Sequence, residues 1–197
     1  MRKIIFATSN EGKMIEIREI LKDLKIELLS LKDIGFMSDI EENGDTFEAN
    51  AIIKAKFVAE QTNEIVLADD SGLEVDYMNK APGVYSARFM GEETSYDIKN
   101  QYIIDQLATA SGDERSARFV CVIACAFPNG EVITRRATIE GVIAEQITGT
   151  NGFGYDPIFF VPEYGCTTAQ MPAELKNKIS HRGKALCLMK EAIKQYL

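Results

Sequence analysis

Apolar and polar positions change period several times along this chain. KIIFAT carries a continuous apolar run, which predicts a buried strand over Lys3–Ala7. In MIEIREILKDL, Ile15, Ile17, Ile20, Leu21 and Leu24 recur at a rough helical spacing with charges between them. KIELLSL predicts a second short strand and KDIGFMSDIEENGD a polar, acidic loop. Asp45 is suited to cap a helix, with Glu48 three residues on completing a capping box, so a helix is expected from about Thr46 to Glu60. There Phe47, Asn50 and Lys54 share one stripe, and Ala51, Ala55 and Val58 form an adjoining core stripe. EIVLADDSGLEVDYM predicts a strand, a tight turn at Ser71-Gly72 and a further strand. APGVYSARFMGEE is loop-like, and TSYDIKNQYIIDQLAT is helical in pattern. SARFVCVIACAFPNGEVITRRATIEGVIA predicts a long hairpin turning at Pro128–Gly130, and MPAELKNKISHRGKALCLMKEAIKQYL is mainly helical. Strands and helices alternating early, with a hairpin late, predict an α/β fold on a mixed sheet.

Composition narrows the class. A chain of 197 residues with 46% hydrophobic and 26% charged residues suits one soluble domain with a sizeable core, 1–197, in two lobes. MRKIIFATSNEGK is too short in apolar character for a signal peptide, and no later stretch could span a bilayer, so a cytoplasmic protein without membrane partners is expected. Cys121, Cys125, Cys166 and Cys187 make no CxxC pair and no zinc spacing, and read as reduced core thiols. A net charge of −8 argues against a broad grip on a nucleic acid polymer but leaves room for a small anion held by a few local cations.

Several short motifs carry chemistry. SNEGK, Ser9–Lys13, joins a strand to a helix, where backbone amides and Lys13 would attract phosphate; it is too short for a Walker loop, and an ordinary polar turn is the alternative. ADDSG ends an apolar strand with Asp69 and Asp70, which must point to opposite faces. One would face a cleft, and the other would brace a turn or share a metal such as Mg²⁺; an Asx-type turn is the alternative. IEENG supplies a second acidic pair, Glu41 and Glu42. Lys54 either snorkels or reaches toward that acidic loop. KNKISHRG gathers Lys176, Lys178, His181 and Arg182, and GTNGFGYDPIFF offers Phe153 and Asp156; together these would suit a flat, polar ring. The constellation points to a nucleotide with a metal-bound polyphosphate.

ATSNEGK, EENGDTFEANAIIKA, ADDSGLEVD, APGVYSARF, GTNGFGYDPIFF and KNKISHRGKAL, in this order and over nearly the whole chain, resemble the inosine triphosphate pyrophosphatase family. The resemblance implies an elongated, two-lobed α/β body with a mixed sheet and flanking helices, the site in the cleft between lobes, and a homodimer. It implies hydrolysis of ITP, dITP and XTP to nucleoside monophosphate and pyrophosphate with one or more Mg²⁺ ions. Thr8, Ser9, Asn10, Glu11, Gly12 and Lys13 would form the triphosphate loop. Asp70 would be the general base and a metal contact, with Glu41 the other metal position and Glu42 and Asp69 beside them. Lys54 and Ser71 would contact the polyphosphate. Phe153, Gly154, Tyr155, Asp156, Lys176, His181 and Arg182 would read the purine, Phe153 by stacking, Asp156 as acceptor, and the three basic residues as donors to a 6-keto oxygen. A pyrophosphatase of modified pyrimidine nucleotides and a non-catalytic nucleotide-binding regulator are the alternatives.

Overall fold

One seven-stranded sheet organises the computed structural model, which describes residues 2–197. Its strands are β1 (Arg2–Phe6), β2 (Ile26–Ser30), β3 (Ile65–Val75), β4 (Ser116–Ala126), β5 (Val132–Ile143), β6 (Phe159–Val161) and β7 (Cys166–Thr167). They lie in the order β2-β1-β3-β4-β5-β6-β7. β1 pairs in parallel with β2 and β3, whereas β6 pairs antiparallel with β5 and β7, so the sheet is mixed as expected. The helices are α1 (Glu11–Leu21), α2 (Phe47–Thr62), α3 (Tyr96–Gln106), α4 (Ala173–Ile179) and α5 (His181–Ile193).

Two compact units share this chain. The first comprises the chain up to Asp70 with Cys121–Ala137 and Arg182–Leu197. Its core joins Ile4, Phe6, Ile65 and Leu67 to Met14, Ile17 and Leu21 of α1 and Leu186 and Met189 of α5. Ile5, Val66 and Ala68, the alternating strand residues, are also fully buried, so both strand faces are covered, as parallel strands require. The second unit comprises Ser71–Val120 and Thr138–His181. Its core holds Leu73, Ile103, Leu107, Phe119, Ile139 and Phe159. Buried Arg115 donates to the carbonyls of Leu107, Ile143 and Ala144, tying the end of α3 to the end of β5.

Four local expectations are corrected. No turn interrupts Ser71-Gly72: β3 runs straight through, because Gly72 and Leu73 are buried and the strand pattern outweighs a Ser-Gly signal. Thr46, not Asp45, caps α2, its hydroxyl accepting from the Ala49 amide, while Glu48 accepts from Thr134 on β5. Glu11–Lys13 form the first turn of α1 rather than loop, because Asn10 caps the helix by accepting from the Lys13 amide. The cysteines are all unbridged, but Cys187 is exposed and Cys166 half-buried; Cys121 and Cys125 are core thiols, pushed up to about 12 by burial.

Candidate active site

β3 ends the first unit with Asp69 and Asp70, and their partners diverge as strand alternation demands. Asp69 meets Lys13 of α1 at 2.8 Å and Arg182 of α5 at 3.6 Å. Arg182 is held in turn by Glu16 at 2.6 Å. Burial alone would raise the Asp69 carboxyl, but Lys13, Arg182 and Lys54 outweigh it and hold the group well below the usual carboxylate range. Asp70 instead faces α2: it accepts from the Asn50 amide at 3.1 Å and stands 3.8 Å from the Lys54 ammonium. Lys54 donates to Glu42 at 2.8 Å, and Asn50 accepts from the Gly44 amide at 2.8 Å, which fixes the acidic loop onto α2. A Cβ at Gly44 would lie 2.8 Å from both Ala49 Cβ and Asn50 Oδ1, so only glycine lets that loop approach. Burial pushes Asp70 up to about 6; Glu42 and Asp69 push the same way, and Lys54 and the Asn50 bond only partly offset them. Two neighbouring carboxylates thus titrate in opposite directions.

The glycine-rich loop belongs to the second unit and is organised by Asp156. One carboxylate oxygen of Asp156 accepts from the Phe153 amide at 2.8 Å and from the Lys176 ammonium at 2.7 Å. Its other oxygen accepts from the Thr168 hydroxyl at 2.8 Å. Lys176, from α4, also sits 4.9 Å from the Phe153 ring centroid, within cation–π range. Phe153 is 36% exposed, unlike Tyr155, which is buried, donates its hydroxyl to the Ser86 carbonyl and meets Tyr96 edge-on. Gly152 has φ +75°, and a Cβ there would lie 2.1 Å from Asp156 Oδ2. His181, opening α5, stacks on Phe119 at 4.8 Å and 17°.

Most of the expected residues therefore gather into two clusters. Lys13, Lys54, Asp69, Asp70 and Glu42 come together, as do Phe153, Asp156 and Lys176. Arg182 joins the acidic cluster through Asp69 and Glu16. The Asp156 carboxylate holds its own loop, and the Tyr155 side chain packs in the core. Glu41 is exposed, and Glu42 is half-buried with its carboxylate on the Lys54 ammonium. Among the described residues, no three acids, histidines or cysteines are grouped as a ready-made metal cage, because Asp69 is turned to Lys13 and Arg182. Thr8 is buried and accepts from the Asn10 amide; Ser9 is exposed, Gly12 is half-buried in the first turn of α1, and Ser71 is half-buried beside Asp70. Asn50, Glu16 and Gly44 complete the acidic cluster; of these Glu16 carried no signal in the sequence, whereas Gly44 ends the IEENG motif and Asn50 shares a stripe with Lys54.

The Ham1 family's sequence profile matches residues 4–192. The chain belongs to the Ham1 family. Among curated relatives of this Ham1 chain, the dITP/XTP pyrophosphatase of Clostridium perfringens is 46% identical over the full length of both chains. The Listeria monocytogenes dITP/XTP pyrophosphatase is 48% identical, covering 94% of this chain and 92% of its own. Among solved structures, a HAM1 protein from Coxiella burnetii superposes with a TM-score of 0.90 at 41% identity, covering 99% of this chain and all of its own. The Staphylococcus aureus Ham1 protein gives 0.89 at 39% identity, with both chains fully covered. These matches bear out the family resemblance and the α/β fold read from the motifs.

Two predictions come from this geometry in the Ham1 chain. The raised carboxyl of Asp70 favours the folded state fully below its ordinary value near 3.8, and that contribution is lost as pH rises through about 6. Asp70→Asn removes the cost of burying the ionised group. The variant should therefore be more stable than the parent at pH 7.5 by about 1–3 kcal/mol in urea unfolding without divalent cations. The gap should shrink as pH falls through 6 toward 4; a gap independent of pH would contradict the burial argument.

The second contrasts two glycines. Gly154 has φ +68° but only Tyr96 near its Cβ position, at 3.6 Å, so Gly154→Ala meets the backbone cost alone, about 1–2 kcal/mol. Gly152→Ala must also displace the Asp156 carboxylate. It should destabilise more, and amide exchange at Phe153 should accelerate. Equal losses of stability for the two variants would show that the Asp156 contact carries no weight.

Proposed function

We propose that this chain hydrolyses non-canonical purine nucleoside triphosphates (ITP, dITP and XTP) to nucleoside monophosphate and pyrophosphate, removing them from the nucleotide pool. The observation that carries this reading is the opposed behaviour of Asp69 and Asp70. Asp69 is pinned as an anion among cations. Asp70, with its carboxyl near 6, is poised to accept a proton at neutral pH, where a general base is most effective. The relatives named dITP/XTP pyrophosphatases set the substrate class.

In this reading water attacks the α-phosphorus and pyrophosphate leaves from the opposite side. Asp70 takes the proton of the attacking water. Lys13, Lys54 and the N-terminus of α1 offset charge on the phosphates, and Asn10 keeps that terminus in register by capping it. No covalent intermediate is needed. Phe153 stacks on the purine, and Lys176 and His181 donate toward the 6-keto oxygen, which adenine lacks. Arg182 acts with them only indirectly, since its charge is committed to Asp69 and Glu16.

Mg²⁺ belongs to the same reading. Asp70 and Glu42 already converge on one cation, the Lys54 ammonium, and Mg²⁺ requires only one or two carboxylates besides substrate phosphates and water. Those two residues would hold it, with Glu41 and Asp69 as neighbours. When bound it supplies charge neutralisation on the phosphates and a more acidic attacking water. A homodimer fits the exposed Tyr77, Tyr85, Met90, Ile98 and Tyr102 of the second unit, which a partner subunit would cover. A nucleotide-pool enzyme works in the cytoplasm, and no helix among the described residues is long and apolar enough to cross a membrane.

The test is a panel of triphosphates assayed for both pyrophosphate and orthophosphate, with Mg²⁺ and after chelation. ITP, dITP and XTP should yield monophosphate and pyrophosphate, and EDTA should abolish turnover. Release of diphosphate and orthophosphate would overturn the reaction. Equal turnover of UTP-like rings would move the substrate to pyrimidines, and tight ITP binding without cleavage would make the chain a regulator.

Two side chains probe the roles separately. Asp70→Asn should lower kcat by about 10² or more with the fold intact. Phe153→Ala should weaken ITP binding by about 1–3 kcal/mol, the scale of base–aromatic stacking, while urea unfolding changes little because the ring is part-exposed. A loss of folding stability of about 3–5 kcal/mol with unchanged affinity would make Phe153 a core anchor instead.

A further inference from the structure

We propose that Asn100 is a positioning residue for base recognition, holding the Gly154 carbonyl so that the Phe153 ring is presented in one orientation. The proposal rests on the reading that Phe153 stacks on the base. Phe153 lies between two permissive residues, Gly152 at φ +75° and Gly154 at φ +68°. Its ring is part-exposed, with the Lys176 ammonium 4.9 Å from its centroid. Two hydrogen bonds bracket it along the backbone. On one side its amide donates to Asp156 at 2.8 Å. On the other, the Asn100 side-chain amide donates to the Gly154 carbonyl at 3.1 Å, from a residue 54 positions earlier in the chain.

Asn100 is an unusual occupant of its place. It is 1% exposed on α3, where an apolar residue of good helix propensity would be expected. Its Oδ1 has no hydrogen-bond partner among the described residues, which makes the buried amide a net liability unless the bond to Gly154 has a use. α3 secures the same loop again one turn earlier. Tyr96 packs edge-on against Tyr155 at 5.2 Å, and the Lys99 ammonium sits 4.9 Å from the Tyr96 ring centroid while donating to the Ala87 carbonyl. The helix thus fixes the residue that follows Gly154, and Asn100 fixes Gly154 itself.

A base held by stacking is bound alike before and during attack at phosphorus. Loosening the ring should therefore raise KM and leave kcat nearly unchanged. Asn100→Ala should raise KM for ITP about 5- to 10-fold, a fraction of the full stacking effect, with kcat within about 2-fold. In a Phe153→Ala background the same change should have no further effect, because the ring it positions is gone. An equal rise in KM in both backgrounds, or a fall in kcat at constant KM, would overturn the proposal.

A second readout does not depend on catalysis. The chain has no tryptophan, so Phe153→Trp installs a single reporter on the loop. Its fluorescence anisotropy should fall when Asn100→Ala is added and recover toward the single-variant value with Asn100→Gln, which restores a donor. Unchanged anisotropy would overturn the proposal even with normal folding. If the unaltered chain released no pyrophosphate from ITP, the proposed function would fail while anisotropy still decided the role of Asn100.

Discussion

Adjacent side chains on an extended strand point to opposite faces, and the chemistry of the first unit depends on that constraint acting on Asp69 and Asp70. The buried run Ile65–Ala68 fixes the register of β3, so the two carboxylates have no freedom to exchange faces. Asp69 becomes the counterion for Lys13 on α1 and Arg182 on α5. Asp70 becomes the partner of Asn50 and Lys54 on α2. A slip of one residue would exchange every one of these contacts. The precision of the candidate site is thus inherited from a strand packed on both faces, which is more rigid than any loop could be.

The glycine-rich loop achieves its precision by a different route. Its turns are gathered on a buried carboxylate. Asp156 collects an amide, an ammonium and a hydroxyl, and Gly152 lets the chain close around it. The contrast between Asp156 and Asp70 follows from their partners. Asp156 has both oxygens engaged by donors within its own unit. Asp70 accepts from Asn50 and stands 3.8 Å from the Lys54 ammonium. Two buried carboxylates in one chain therefore have different surroundings without any difference in residue type.

What could be read from the sequence was whatever is local. β1, β2, the long hairpin and the helical periods follow from spacing and turn residues over a few positions. The predicted Ser71-Gly72 turn failed because burial of Gly72 and Leu73 in β3 overrode a local turn preference. The misplaced cap, Asp45 for Thr46, is a shift of one residue between two acceptable capping side chains. His181 and Arg182 were read as one donor cluster because they are adjacent in sequence. Successive residues of a helix point roughly 100° apart. One accordingly stacks on Phe119, and the other reaches Asp69 and Glu16. Asp156 was visible as an acid in a loop, but its consumption by Thr168 and Lys176 is a tertiary fact. Asn100 and Glu16 belong to no motif, and their importance appears only when distant segments meet.

The charge inventory of the acidic cluster bears on the proposed metal. Lys13, Lys54 and Arg182 supply three positive charges, while Glu16, Glu42, Asp69 and Asp70 supply four carboxylates. With Asp70 ionised the cluster is already net negative before a triphosphate, itself strongly anionic, approaches. Lysines committed to carboxylates cannot give their full charge to phosphate without leaving those carboxylates exposed to each other. Protonating Asp70 would ease the repulsion but would remove the base. In the proposed reading, Asp70 and Glu42, which converge on Lys54, would hold a divalent cation whose charge would favour the ionised form of Asp70. The Asp70 carboxyl is raised chiefly by burial, with Glu42 and Asp69 adding to it. In the proposed reading, a bound cation would lower the Asp70 carboxyl and so favour its action as a base.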